Sequence, residues 1–424
     1  MSVSPFGALG GAEPPPFRLP GSHFAAALLF FVAGGAGLVW AAPDLSAASF
    51  LSPRVTGVTH LFTLGWVTTA IMGALYQFLP VALEREIRWP GVAQGTLFLH
   101  APGLAAFVTG LTTQRPDLVV AGASLLAVGV LLFTGNVAGT LAGAPRRDMT
   151  WWALALAMTF LTLTVVVGGA LAANVRWPFM GASRIVALGT HLHVALVGFV
   201  LLVMVGVGHR LLPMFLLSHG ATERPGRWAV GLLATGVALL FALHHTPGAW
   251  ARRVPAVLIL SGGAAFLFQA RAFYRARQRP TIDAGMRTAA AALVVLAGAA
   301  ALGGYLGLTG FATRPHLATA YVSALVLGIS IFVAAHTYKI VPFLVWYHRF
   351  GPLAGKAPVP KVADLYSTRW AGAAGTLLTV GTAAVAAGIA FRQAAVTAAG
   401  AWVFLAGAAV EGVQMALVAR KRPS

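Results

Sequence analysis

Residues 190–215 read THLHVALVGFVLLVMVGVGHRLLPMF. The run is longer than the roughly 20 apolar residues needed to cross a hydrocarbon core of about 30 Å, so it predicts a membrane-spanning helix. It nevertheless carries His191, His193 and His209. A polar side chain inside a membrane is costly and marks function unless something local satisfies it. Two questions follow: how many such helices the chain holds, and what these histidines do.

Similar windows recur along the chain, near 23–42, 54–80, 91–111, 118–142, 151–172, 184–216, 228–245, 254–273, 287–309, 315–346, 369–391 and 395–419. They predict an all-α polytopic integral membrane protein of about twelve transmembrane helices. Composition agrees: of 424 residues, 58% are hydrophobic and 9% charged, and the mean hydropathy is +0.82. A soluble protein of this size needs a far more charged surface. The 29 Lys and Arg against 10 Asp and Glu give a net charge of +19. These basic residues fall in short gaps between apolar runs, so the partner they imply is membrane lipid with anionic headgroups, not nucleic acid. Most lie in alternate gaps, including REIR, PRRD, ERPGR, RAFYRARQRP and ARKRPS, which puts both termini in the cytoplasm, at a bacterial inner membrane. Cysteine is absent, which excludes disulfides, thiolate metal sites, iron–sulfur clusters and Cys-attached haem. The Pro/Gly-rich residues 1–22 read as a flexible cytoplasmic tail, and 23–424 as one membrane domain.

That domain repeats internally. Helix two, HLFTLGWVTTAIMGALYQFLP, helix six, HVALVGFVLLVMVGVGHRLLP, and helix ten, VSALVLGISIFVAAHTYKIVP, align on Pro80, Pro213 and Pro342. The period is about 130 residues, giving pseudo-repeats of four helices near 23–145, 146–280 and 281–424. His60 then falls on His193 and Gly65 on Gly198. Tyr76, His209 and Tyr338 coincide, as do Gln77, Arg210 and Lys339.

In this topology His60, His191, His193, His316, His244 and His245 gather toward the outer ends of helices two, six, ten and seven, and His100 lies midway along helix three. His60 and His193 share a repeat position inside apolar helices, and ligation is their default reading. Residues two apart on a helix differ in direction by about 200°, so His191 and His193 face opposite sides. The adjacent His244–His245 reads either as a pair that holds copper or as headgroup-region residues ahead of the turn TPG. His316 reads either as a ligand or as a helix-start residue after Arg314-Pro315. His23 and His219 read as interfacial; His209, His336 and His348 belong to the inner side. Trp40, Trp66, Trp177, Trp250 and Trp402 read as packing or interfacial residues.

This pattern resembles subunit I of the haem-copper oxidase superfamily, which includes nitric oxide reductases, and the related NnrS proteins. The resemblance implies twelve helices with three-fold pseudosymmetry. It implies His60, with His193 or His191, as ligands of a b-type haem, and His244 with His245 as copper ligands. Activity would be oxygen or nitric oxide reduction, electron transfer or ligand binding, with a separate donor protein or quinol. The departures are specific. Helix ten lacks a His-x-His and offers His316 and His336. No tyrosine follows the helix-six histidines by one turn. Glu411 is the one clear intramembrane acid, which excludes a full proton relay. The competing reading is a metal-free transporter or structural subunit on the same fold, whose polar candidates are Gln94, Asn136, Gln269 and Glu411.

Overall fold

A computed structural model describes residues 15–423. It forms twelve helices long and apolar enough to cross a membrane: α1 Arg18–Ser46, α2 Pro53–Leu83, α3 Pro90–Thr112, α4 Pro116–Ala142, α5 Met149–Arg176, α6 Ser183–Leu216, α7 Arg224–Ala242, α8 Trp250–Arg275, α9 Ala284–Thr309, α10 Pro315–Leu353, α11 Thr368–Ala390 and α12 Ala394–Arg420. The chain is an all-α integral membrane protein. Several helices start where the sequence supplies their caps. Pro53, Pro116 and Pro315 each open a helix, where the missing N–H costs nothing. Ser52 and Asp148 accept from the backbone N–H groups of Val55 and Trp151. Residues 1–14 of the expected tail lie outside the described residues, and α1 already begins at Arg18, with Leu19 and Pro20 buried.

Close contacts sort the chain into two compact units. Within the described residues, one comprises 15–94, Ile282–Leu296 and 322–423; the other comprises Gly95–Thr281 and Ala297–Tyr321. The core of the first is aromatic. Trp66 stacks on Phe31 at 4.3 Å, Phe62 and Phe404 close the cluster edge-on, and the Trp66 indole N–H donates to the Ser330 carbonyl at 3.1 Å. Trp66 is thus a packing residue, while Trp40, Trp177, Trp250 and Trp402 are exposed, as belt residues are. His23, read as interfacial, is fully buried in α1, edge-on to Tyr76 at 5.4 Å, in space left by Gly73. Its Nδ1–H donates to the Leu19 carbonyl at 2.8 Å, which removes much of the cost of its burial.

The repeat is visible in local structure. In both α2 and α6 the helix widens to π hydrogen bonding directly after the aligned histidine, over Leu61–Thr68 and Val194–Leu201. Both helices end on a residue in the left-handed region, Glu84 and Leu217, each with φ 51°. Polar residues also recur. Gln269 of α8 accepts from Gly226 N–H at 3.0 Å and donates to the Thr222 carbonyl at 2.8 Å, tying down the start of α7. Gln414 of α12 accepts from Ser367 N–H at the start of α11. Gln269, a candidate for a polar pathway, is therefore engaged with backbone.

Arg210 and Lys339, aligned with Gln77, pair with Asp148 and Asp283. Each aspartate also accepts from a backbone N–H in the first turn of a helix, α5 and α9 respectively. The two pairs differ in exposure: side chains are 53% and 36% exposed for Arg210–Asp148, but 15% and 23% for Lys339–Asp283. An exposed pair contributes little, whereas removing one partner of a desolvated pair strands the other charge. Asp148→Ala is therefore expected to cost about 1–2 kcal/mol, mostly the lost cap. Asp283→Ala should cost roughly 2–4 kcal/mol. Thermal unfolding of the detergent-solubilised variants measures the order.

Candidate cofactor site on helix six

The second unit contains most of the histidines singled out from the sequence. α6 runs as an ordinary helix from Ser183 to His193 and then as a π segment. His193 is the last residue before that change. Its Nδ1 lies 2.8 Å from the Gly189 carbonyl. A carbonyl only accepts, so Nδ1 carries the proton and Nε2 presents a lone pair. This is the tautomer and the outer-shell contact that ligating histidines use. Nε2 accepts from the Tyr321 hydroxyl of α10 at 3.3 Å, a long bond, with the two rings nearly parallel at 6.3 Å and 24°. Tyr321 is buried, its ring lying where a side chain at Gly303 would stand, 2.6 Å from an added Cβ, with Phe311 edge-on to it.

His191 is half-buried, and its ring lies on Gly168 of α5, where an added Cβ would approach Cε1 to 2.8 Å. Glycine at 168 is thus what admits the imidazole. His316 sits in the first turn of α10, half-buried, with a buried Nδ1 that has no hydrogen-bond partner. His100 is fully buried in α3. His244 and His245 lie in the turn after α7, with ring centroids 3.9 Å apart; His244 Nδ1–H donates to the Phe241 carbonyl at 2.5 Å, and His245 is exposed. Among the described residues no three His, Asp or Glu side chains converge in a way that would hold a metal ion.

In the first unit, His60 of α2 repeats the His193 arrangement. It is the last residue before the π segment, half-buried, with Nδ1–H donating to the Thr56 carbonyl at 2.8 Å. The bond alone is not distinctive, because His23 and His336 make it in ordinary helix. What sets His60 and His193 apart is the bond together with the widened turn that follows, and π segments occur frequently at functional sites. Helix ten has Val322 at the aligned position and stays α-helical there.

Tyr321 was not singled out by the sequence, because its role depends on α10 bringing it to His193. The available signal was a tyrosine within an apolar helix, five residues after His316. No family model and no curated protein matches this chain.

Proposed function

We propose that this protein is a membrane haem protein of the haem-copper oxidase subunit I type, in which His60 of the first unit and His193 of the second would each hold b-type haem. The observation that carries the reading is their shared environment: two repeat-related imidazoles, each with Nδ1–H on a backbone carbonyl and each at an α-to-π junction. The donor set fits haem. The macrocycle supplies four nitrogens, so one or two imidazoles complete the iron, and the absence of Cys leaves non-covalent haem. Copper held by protein alone draws on more donors, and His244–His245 supplies two. His191 and His316 are secondary ligand candidates. When bound, the haem would supply a redox couple or a site for oxygen or nitric oxide. The chain's own residues orient the imidazoles and exclude water, and electrons come from a quinol or a donor protein. The excess of Lys and Arg in alternate gaps supports placement in a bacterial inner membrane with both termini cytoplasmic and anionic lipid as a partner.

The test is an optical spectrum of the purified protein, oxidised and dithionite-reduced, with iron and copper measured on the same sample. Sharp reduced bands with stoichiometric iron support the proposal. A colourless, metal-free protein, even after expression with added haem and copper, overturns it and leaves a metal-free transporter or structural subunit.

Tyr321 provides a second handle. Its hydroxyl competes with iron for the lone pair on His193 Nε2. A neutral hydrogen bond contributes about 1 kcal/mol net, so Tyr321→Phe is expected to bind haem about fivefold more tightly in a titration of the haem-free protein.

A further inference from the structure

The first unit holds a buried acid that the haem reading does not use. Glu411 of α12 is 1% exposed. Its Oε1 accepts from the Thr337 hydroxyl of α10 at 2.7 Å, and its Oε2 is buried with no hydrogen-bond partner. No cation faces it. Lys339 is engaged by Asp283. The part of α1 packed on this stretch presents Val32 and Gly35, and that of α11 presents Ala374 and Leu378. Titratable groups near this end include His336, one residue before Thr337, whose Nδ1–H donates to the Phe332 carbonyl at 2.7 Å, Tyr338, within electrostatic reach of Glu411, and Tyr366, whose hydroxyl is pushed up to about 12 by burial and by the charge of Asp283. An ionised carboxylate in hydrocarbon without a counter-charge or a full set of donors is prohibitively costly, so the group is held as the neutral acid. The Thr337 hydroxyl, which also lies 2.7 Å from the Ala334 carbonyl, shares a hydrogen bond with this neutral carboxyl.

A polar file leads from this acid to the surface. Gln414 lies one turn further along the same face of α12, as residues three apart do. Its amide donates to the Tyr338 hydroxyl at 3.4 Å and to the Ser367 carbonyl at 3.4 Å, and it accepts from Ser367 N–H at 3.1 Å. Ser367 is exposed at the start of α11. Burial thus falls stepwise from Glu411 through Gln414 to Ser367.

From this geometry we infer that Glu411 is a proton-exchange site, open to the aqueous phase at the Ser367 end of the helices through Gln414 and Tyr338. The bond broken and remade is the carboxyl O–H, and the proton passes to and from water admitted along that file. The inference stands apart from the haem proposal and survives if no haem binds.

Infrared spectroscopy of the full-length protein in lipid tests it. The expected result is a protonated-carboxyl C=O band that is lost in Glu411→Gln and shifts in frequency in Thr337→Val, where the hydrogen bond with the carboxyl is gone. In D2O the wild-type band shifts as O–H becomes O–D, and Gln414→Leu slows that shift several-fold. Absence of the band in wild-type protein means an ionised carboxylate and overturns the inference. A band that never shifts in D2O means a sealed structural acid and overturns it equally.

Discussion

His193→Ala and His60→Ala are each expected to remove part of the haem absorption from the purified protein, and His336→Ala to leave it unchanged. All three wild-type imidazoles donate Nδ1–H to the carbonyl four residues earlier. If that bond alone made a ligand, His336 would qualify. It lies in uninterrupted α-helix, whereas His60 and His193 each precede a π segment, in which the backbone bonds reach one residue further. The π turn changes the register of everything beyond it without breaking the helix. In each helix a glycine lies inside the segment, Gly65 and Gly198, and an added Cβ at Gly198 would meet Phe160 at 2.8 Å. The single variants also report stoichiometry. Each variant is expected to lose the iron that its own histidine holds and to leave the rest spectrally intact. Unchanged spectra in both variants, with haem still present, would transfer the ligand role to His191 or His316.

The span pattern was legible because hydrocarbon thickness imposes it: each of the twelve apolar windows falls on one helix, although 228–245 overruns the end of α7 at Ala242 and 369–391 that of α11 at Ala390. Helix ends were less legible. α1 starts at Arg18 because a helix continues through the interface after its apolar run stops, and its first turns, including His23, are buried by α2. The repeat was legible at Pro80, Pro213 and Pro342, and its deeper consequence was not. No residue type encodes a π turn, since the choice is one of backbone bonding at a site where neighbours tolerate a wider helix. The Tyr321 contact was illegible for another reason: it is a tertiary pairing of residues far apart in the chain. Polar residues read one by one also misled, because Gln269 looks like a pathway residue until its partners are seen to be the backbone at the start of α7.

The largest stability effect is expected at glycines where the third and fourth helices of each repeat meet. An added Cβ at Gly122 of α4 would stand 2.3 Å from the Phe107 backbone nitrogen in α3. At Gly262 of α8 it would stand 2.9 Å from the Leu233 nitrogen in α7, and at Gly381 of α11 2.5 Å from the Phe404 nitrogen in α12. These are backbone contacts, so no side-chain rotation relieves them. The helices must part by roughly 1 Å to restore normal separation, and dispersion contacts along the hairpin weaken together. In a membrane that loss is decisive, because lipid is as apolar as leucine and helix association rests on close packing. Gly122→Val and Gly381→Val should each cost about 3 kcal/mol or more, at the upper end of overpacking penalties. Gly231→Ala, in α7 with nothing within 4 Å of the added Cβ, should be neutral or stabilising by up to about 1 kcal/mol through helix propensity. Unfolding in mixed detergent, followed by helical circular dichroism, separates the two classes. Wild-type-like stability in Gly122→Val and Gly381→Val would mean that the third and fourth helices do not pack backbone to backbone.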